Sequence, residues 1–160
     1  MLRENRSNIA IIFFHVGKCA GESIIRAIAD AFGTRVATFE YHSFDANLLI
    51  KDFLTAKQLF CKDQEPIVII ATRDPVQRWF SAFNWDLHDL FLSKNVPLDD
   101  GYSRFPKASD LAAGISTADP EALKFGRTNH MGMGLSWYLP LNMVAHLEGH
   151  RVYELSLIHI

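Results

Sequence analysis

Ile9–Ser23 reads IAIIFFHVGKCAGES: an unbroken apolar run, a loop holding two glycines and one lysine, and the opening of a helix. A short continuous run of β-branched and aromatic residues marks a strand buried on both faces, as in a parallel sheet. The run, Ile9–Val16, breaks at Gly17. Ile24, Ile25, Ile28, Ala31 and Phe32 then recur at helical spacing, up to a C-cap glycine at Gly33. Further strands are expected at Arg35–His42 (RVATFEYH) and Pro66–Thr72 (PIVIIAT), with a helix over Asn47–Cys61 between them. Asp74 is suited to an N-cap, and Pro75 to the first helical position, of a helix running to about Lys94. Strands alternating with helices predict right-handed crossovers and an α/β fold. The expected form is a doubly wound parallel sheet flanked by helices, in three layers α/β/α.

The second half reads differently. Asn95–Ser109 (NVPLDDGYSRFPKAS) has turn chemistry throughout and is expected to be a surface loop. Short helices are predicted at Asp110–Ile115, Pro120–Phe125, Gly134–Leu139 and Leu141–Gly149, and a last strand at Arg151–Ile158. The chain stops on that apolar segment, so the expectation is one domain over residues 1–160, incomplete at its C-terminus. No internal repeat is visible.

Composition narrows the function classes. Of 160 residues 49% are hydrophobic and 21% charged, the balance of a globular domain. Sixteen basic against eighteen acidic residues give a charge of −2, which leaves no broad basic field for nucleic acid. Any anion site must be local. The longest apolar run is far below the ~20 residues of a membrane span. Arg3 and Arg6 before an apolar run imitate a signal peptide, but Glu4, Lys18 and Glu22 are misplaced for one. Two cysteines, Cys19 and Cys61, suit a reducing compartment, so a cytoplasmic location is expected.

Two segments carry chemistry. In His15–Ser23 the glycines permit a tight turn that exposes N–H groups at the positive end of a helix dipole, beside a lysine charge. The order of residues is not that of an ordinary P-loop, which needs Gly-Lys-[Ser/Thr] directly before the helix. Here Lys18 comes early and Ser23 follows five residues later, poorly placed as a Mg²⁺ ligand. A plain strand–turn–helix with a solvated lysine would read the same way. In Ala71–Trp85 (ATRDPVQRWFSAFNW), Arg73 leaves the end of a strand, suited to bidentate phosphate binding. Ser81 lies about 10 Å further along the helix. The plain alternative pairs Arg73 with Asp74 or another surface acid, while Trp79, Phe83 and Leu87 form a core face.

Together these segments resemble the sulfotransferases that use 3′-phosphoadenosine 5′-phosphosulfate (PAPS), in particular the branch acting on carbohydrates and other small acceptors. The family's first motif is similar to His-x-Pro-Lys-[Cys/Thr]-[Ala/Gly]-Gly-Thr-Ser, against HVGKCAGES here. Its second is similar to Arg-Asp-Pro-x-x-Arg-x-x-Ser-x-[Phe/Tyr], against RDPVQRWFSAF from Arg73 to Phe83. The resemblance covers about residues 9–140, with a weaker likeness over Asn129–Leu139. It implies a P-loop-like sheet, with Gly17, Lys18, Cys19, Ala20, Gly21, Glu22 and Ser23 in the 5′-phosphosulfate loop. Arg73 and Ser81 would hold the 3′-phosphate. Gly17 replaces a proline and Glu22 a threonine, which puts a carboxylate near an anion site. A further basic, glycine-containing loop of the family has no counterpart in this sequence.

The implied reaction is in-line transfer of a sulfuryl group from PAPS to an acceptor hydroxyl. Lys18 would stabilise charge on the leaving oxygen, with no metal required. The partners implied are the nucleotide donor and a small-molecule or carbohydrate acceptor. The expected base is His42, at the carboxyl edge of its strand, and Glu40 on the same face is the second choice. His15 is expected to be a satisfied core residue, His88 lies on a helix face, and His130 belongs to a loop that could touch substrate. Two other readings stand beside this one: a P-loop nucleotide kinase, and a nucleotide-binding module without catalysis.

Overall fold

The computed structural model describes residues 10–33, 36–41, 46–60 and 65–157. Among the described residues four strands, β1 (Ala10–Phe14), β2 (Ala37–Tyr41), β3 (Ile67–Arg73) and β4 (Arg151–Leu157), form one sheet in the order β2-β1-β3-β4. Every pairing is parallel. All five residues of β1 are buried, as a central strand with neighbours on both edges requires. Phe13 stands opposite Glu40 of β2 on one side and Ile69 of β3 on the other.

Helices connect the strands. The first, α1 (Gly21–Phe32), stops at Gly33 with φ 55°, the left-handed backbone that glycine adopts without strain. The second, α2 (Ala46–Phe60), sets Leu49 and Phe53 against Ile12, Phe14 and Val68 of the sheet. Leu139, Met143 and Leu147 complete that core; the last two belong to α9 (Leu141–Leu147). Thr72 Oγ1 donates to Glu154 Oε1 at 2.8 Å and so links β3 to β4. The final strand arrives where expected, but as a sheet edge with Val152, Tyr153 and Leu155 exposed. No helix among the described residues is long and apolar enough to cross a membrane.

The chain divides into two compact units, Met1–Arg73 with Leu135–Ile160, and Asp74–Gly134. The second is helical. It opens with α3 (Pro75–Asp86), whose N-cap Asp74 accepts the Gln77 N–H at 2.9 Å, and continues through wider and tighter turns to Lys94. The stretch expected as a surface loop, Asn95–Ser109, instead holds α4 (Asp100–Arg104) and the start of α5 (Ala108–Ser116). Asp99 caps α4, and Tyr102 and Phe105 go into the core with Phe83, Leu111 and Met131. Burial of two aromatic rings there outweighs the turn-forming composition around them. Two more helices follow, α6 (Pro120–Phe125) and the unforeseen α7 (Asn129–Gly132); the short α8 (Leu135–Tyr138) belongs to the first unit.

A buried carboxylate organises the second unit. Asp86, 1% exposed, accepts the His130 backbone N–H at 3.1 Å and pairs with His130 Nδ1 at 2.5 Å. Arg78 Nη2 donates to the His130 carbonyl at 3.3 Å, so α3 holds α7 at three points. The neighbouring Tyr102 hydroxyl stays neutral, since burial and then the Asp86 and Asp99 carboxylates push it above the ordinary phenol range. Asp86→Ala removes the acceptor of the His130 N–H and of its partly exposed imidazole, and should lower stability to urea by about 1.5–3 kcal/mol, the scale of a hydrogen bond to a charged group. A loss below about 1 kcal/mol, the size of an exposed pair, would show that water substitutes for the carboxylate.

Candidate functional site

Between β1 and α1 the chain reverses within His15–Ala20. Val16 N–H donates to the Phe14 carbonyl at 3.1 Å, Cys19 N–H to Val16 at 3.2 Å, and Ile24 N–H to Ala20 at 3.1 Å. Lys18 (φ 67°) and Ala20 (φ 53°) both adopt the left-handed conformation. For residues with a side chain this costs about 1–2 kcal/mol each. Turns of this kind direct backbone N–H groups into a concavity suited to an anion. Cys19 is buried, its thiol 3.8 Å from the Gly17 carbonyl.

The two glycines are required by what packs on them. A β-carbon at Gly17 would meet the Tyr138 hydroxyl, and one at Gly21 would meet the His15 imidazole, with Nε2 nearest. Tyr138, buried in α8, therefore fills the space beside Gly17 at the position where the resembled motif has proline.

Arg73 ends β3, and its Nη1 donates to the Lys18 carbonyl at 3.4 Å. The two segments singled out in the sequence thus meet at the carboxyl ends of parallel strands. They meet beside β1, from which the chain steps first to β2 on one side and then to β3 on the other. In open parallel sheets, ligands bind at that reversal of strand order. Arg73 pairs across the sheet edge in this way; the sequence alternative was Asp74, whose carboxylate caps α3. Ser81 lies two turns into α3, in the second unit. Glu22 points outward: it pairs with Arg26 at 3.7 Å, and both side chains are 80% exposed. Its carboxylate is thus engaged on the solvent side of α1. Ser23 is exposed in the first turn of the same helix.

Of the two base candidates, His42 lies outside the described residues. Glu40 is described, and its Oε1 pairs with His15 Nδ1 at 2.5 Å. His15 is therefore satisfied, as expected, by a partner on β2, and its ring stacks on Phe13 at 5.8 Å, although it lies just past the end of β1 and is partly exposed. Parallel register explains the contact. Phe13 faces Glu40 across the pair, and His15 lies two residues beyond Phe13 on the same face. Parity alone permits this neighbour, but only register selects it. Glu40 also borders a cavity of about 430 Å³ between β2 and α2, lined with Thr38, Asp52 and Thr55.

Sequence reasoning missed the Asp86–His130 pair. A signal was available: Asp86 lies three residues after Phe83, on the apolar face of its helix. An unpaired carboxylate is not tolerated there.

The loop generates a stability test. Gly21→Ala should lower stability by about 1–3 kcal/mol through collision with His15. The double variant Gly21→Ala/His15→Ala should recover part of that loss. Ala20→Gly should be neutral or stabilising by up to about 1 kcal/mol, because it relieves a left-handed residue. Chemical denaturation reads all three, and a stabilising Gly21→Ala would mean that the His15 ring is placed elsewhere.

A scan against protein-family models matches none, and neither the curated proteins nor the solved structures give a match.

Proposed function

We propose that the chain is a PAPS-dependent sulfotransferase domain with a P-loop-like, doubly wound sheet. One observation carries the reading: the hydrogen bond from Arg73 to the Lys18 carbonyl at the strand-order reversal. It joins the two segments whose likeness to the family's donor motifs is independent of the fold. The outward turn of Glu22 supports the reading, because it removes the obstacle that a carboxylate at an anion loop would pose.

The donor supplies an activated sulfuryl group on a phosphate. In the proposed step the acceptor oxygen bonds to sulfur while the bond from sulfur to the phosphate oxygen breaks. The hydroxyl proton passes to a base, and adenosine 3′,5′-bisphosphate leaves. Lys18 is the charge that stabilises the leaving oxygen, and the loop amides hold the 5′ side. Arg73 is the 3′-phosphate ligand, using guanidinium N–H groups beyond the one directed at Lys18; Ser81 enters through the likeness of its motif alone. His42 is the first candidate for the base and Glu40 the second. The acceptor is a hydroxyl of a small molecule or carbohydrate.

Thermal shift separates this from a kinase. Adenosine 3′,5′-bisphosphate should stabilise the protein without metal, whereas stabilisation by Mg-ATP alone would favour nucleotide phosphorylation. Arg73→Ala should weaken bisphosphate binding by about 1.5–3 kcal/mol, the scale of a hydrogen bond to a charged group. Adenosine 5′-phosphate should lose less, only what the loop loses with the Lys18 contact, and equal losses in calorimetry would refute the 3′-phosphate role. His42→Ala should keep bisphosphate affinity within about twofold and cut turnover by roughly 10²–10⁴. Retained turnover there, with loss in Glu40→Gln, would transfer the base to Glu40.

A further inference from the structure

The amino ends of β3 and β4 hold a side-chain cluster that the anion loop does not use. Lys57, in the last turn of α2, donates from Nζ to His150 Nε2 at 3.3 Å. The other ring nitrogen, Nδ1, pairs with Glu65 Oε2, and Glu65 also lies 3.5 Å from Lys57 Nζ. Glu65 precedes β3, His150 precedes β4, and all three residues belong to the first unit. The seven residues of β3, about 20 Å of strand, separate this end of the sheet from Arg73.

The imidazole is fixed by its backbone. Gly149 takes the left-handed conformation (φ 83°), and the His150 N–H then donates to the Leu147 carbonyl at 3.1 Å. The Phe53 ring lies edge-on to it at 5.7 Å, and the His150 side chain is 7% exposed. Its two nitrogens are told apart by their neighbours. An ammonium has three N–H donors and no acceptor, so the Nε2 that faces it carries the lone pair. Nδ1 then carries the proton, on the side of the carboxylate. A nucleophile within hydrogen-bond reach of a base, with the base oriented by a third group, is the arrangement of nucleophilic catalysis. Here it is built from an amine, an imidazole and a carboxylate. The Lys57 side chain is 37% exposed, so an electrophile can reach Nζ while the base behind it is shielded from water.

We infer that Lys57 is a site of acylation by thioesters, with His150 as its general base and Glu65 as a positioning residue. Nε2 takes a proton from the Lys57 ammonium, and the neutral amine attacks the thioester carbonyl carbon. The C–N bond forms and the C–S bond breaks. The leaving thiolate takes the second proton from nitrogen, and the imidazolium returns the first to water. The amide formed is neutral, which ends the ion pair between Lys57 and Glu65. That ion pair acts against the reaction, because a carboxylate beside an ammonium favours the charged, unreactive form. An ion pair alone would therefore make Lys57 a slow lysine, whereas a base beside it makes a fast one.

The probe is N,S-diacetylcysteamine, a small acetyl thioester. Limited labelling of the protein, read by peptide mass spectrometry, gives the rate at each lysine. Lys51, exposed on the same helix, is the internal reference. Lys57 should acetylate about tenfold faster than Lys51, less than the roughly 10²–10⁴ of a general base in an enzyme, because no site holds the thioester. His150→Gln keeps an acceptor for Nζ but no base, and Glu65→Gln keeps a polar group but no charge. Either variant should bring Lys57 to within about twofold of Lys51. Mere loosening of the cluster would do the opposite, since it exposes the amine and frees it from the carboxylate. Glu65 is exposed, so Glu65→Gln carries the test if His150→Gln does not fold. Wild-type Lys57 labelled no faster than Lys51 would overturn the inference, as would a Lys57 rate that persists or rises in the variants.

Discussion

The turn from β1 into α1 is the constraint on which the first unit depends. A strand with both faces covered and both edges paired cannot end gradually, because every backbone group near its end needs a partner. His15–Ala20 meets that demand with short internal hydrogen bonds, two left-handed residues and a buried cysteine. The strained conformations at Lys18 and Ala20 persist only because the surroundings over-determine them. Tyr138 closes against Gly17, His15 closes against Gly21, and the Arg73 guanidinium holds the Lys18 carbonyl. Each contact comes from a different part of the first unit: α8, the loop itself and β3. Packing, not sequence-local preference, thus sets the backbone of the loop.

Much of the first unit was legible because its signals are local and strong. The apolar runs and the Gly33 stop each correspond to one physical cause, and each described element lies within a few residues of its expected bounds. The carboxyl-edge location of Lys18 and Arg73 follows from parallel pairing alone. Their direct contact does not, because it depends on a carbonyl whose direction comes from the left-handed φ of Lys18. His15 was hidden for a similar reason: its partner Glu40 is 25 residues away, and the pairing depends on strand register. His42 and the ends of the expected strand at Arg35–His42 fall outside the described residues.

In the second unit, the helix starts at Pro75 and Pro120 were legible from the Asp-Pro pairs that cap them. Pro120–Phe125 has Asp119 before it, which accepts from Glu121 N–H and Ala122 N–H; that contact with Ala122, foremost, holds the Asp119 carboxyl below its usual range. The α4 helix lacks an apolar period, and Asn95–Ser109 has the composition of a turn. What orders it is tertiary: the Tyr102 ring packs edge-on against Phe83, Phe91 and Phe125, with centroids 4.9–5.2 Å away. Such long-range aromatic burial leaves no trace in a short window of sequence.

The departures of this loop from the motif it resembles show how local substitutions are absorbed. Proline at position 17 would fix the backbone by its ring, whereas here glycine leaves room for the Tyr138 hydroxyl to restrict the same turn from outside. A carboxylate at position 22 would repel an anion if it faced the loop. Instead it lies in the first turn of α1, where negative charge suits the helix dipole, and pairs with Arg26 one turn on. The net charge of −2 therefore says little about the site, because the charges that matter are sorted by direction. Lys18 and Arg73 meet at the carboxyl edge, while Glu22 and Arg26 face solvent. The Glu40 carboxylate, likewise, is turned to the His15 imidazole.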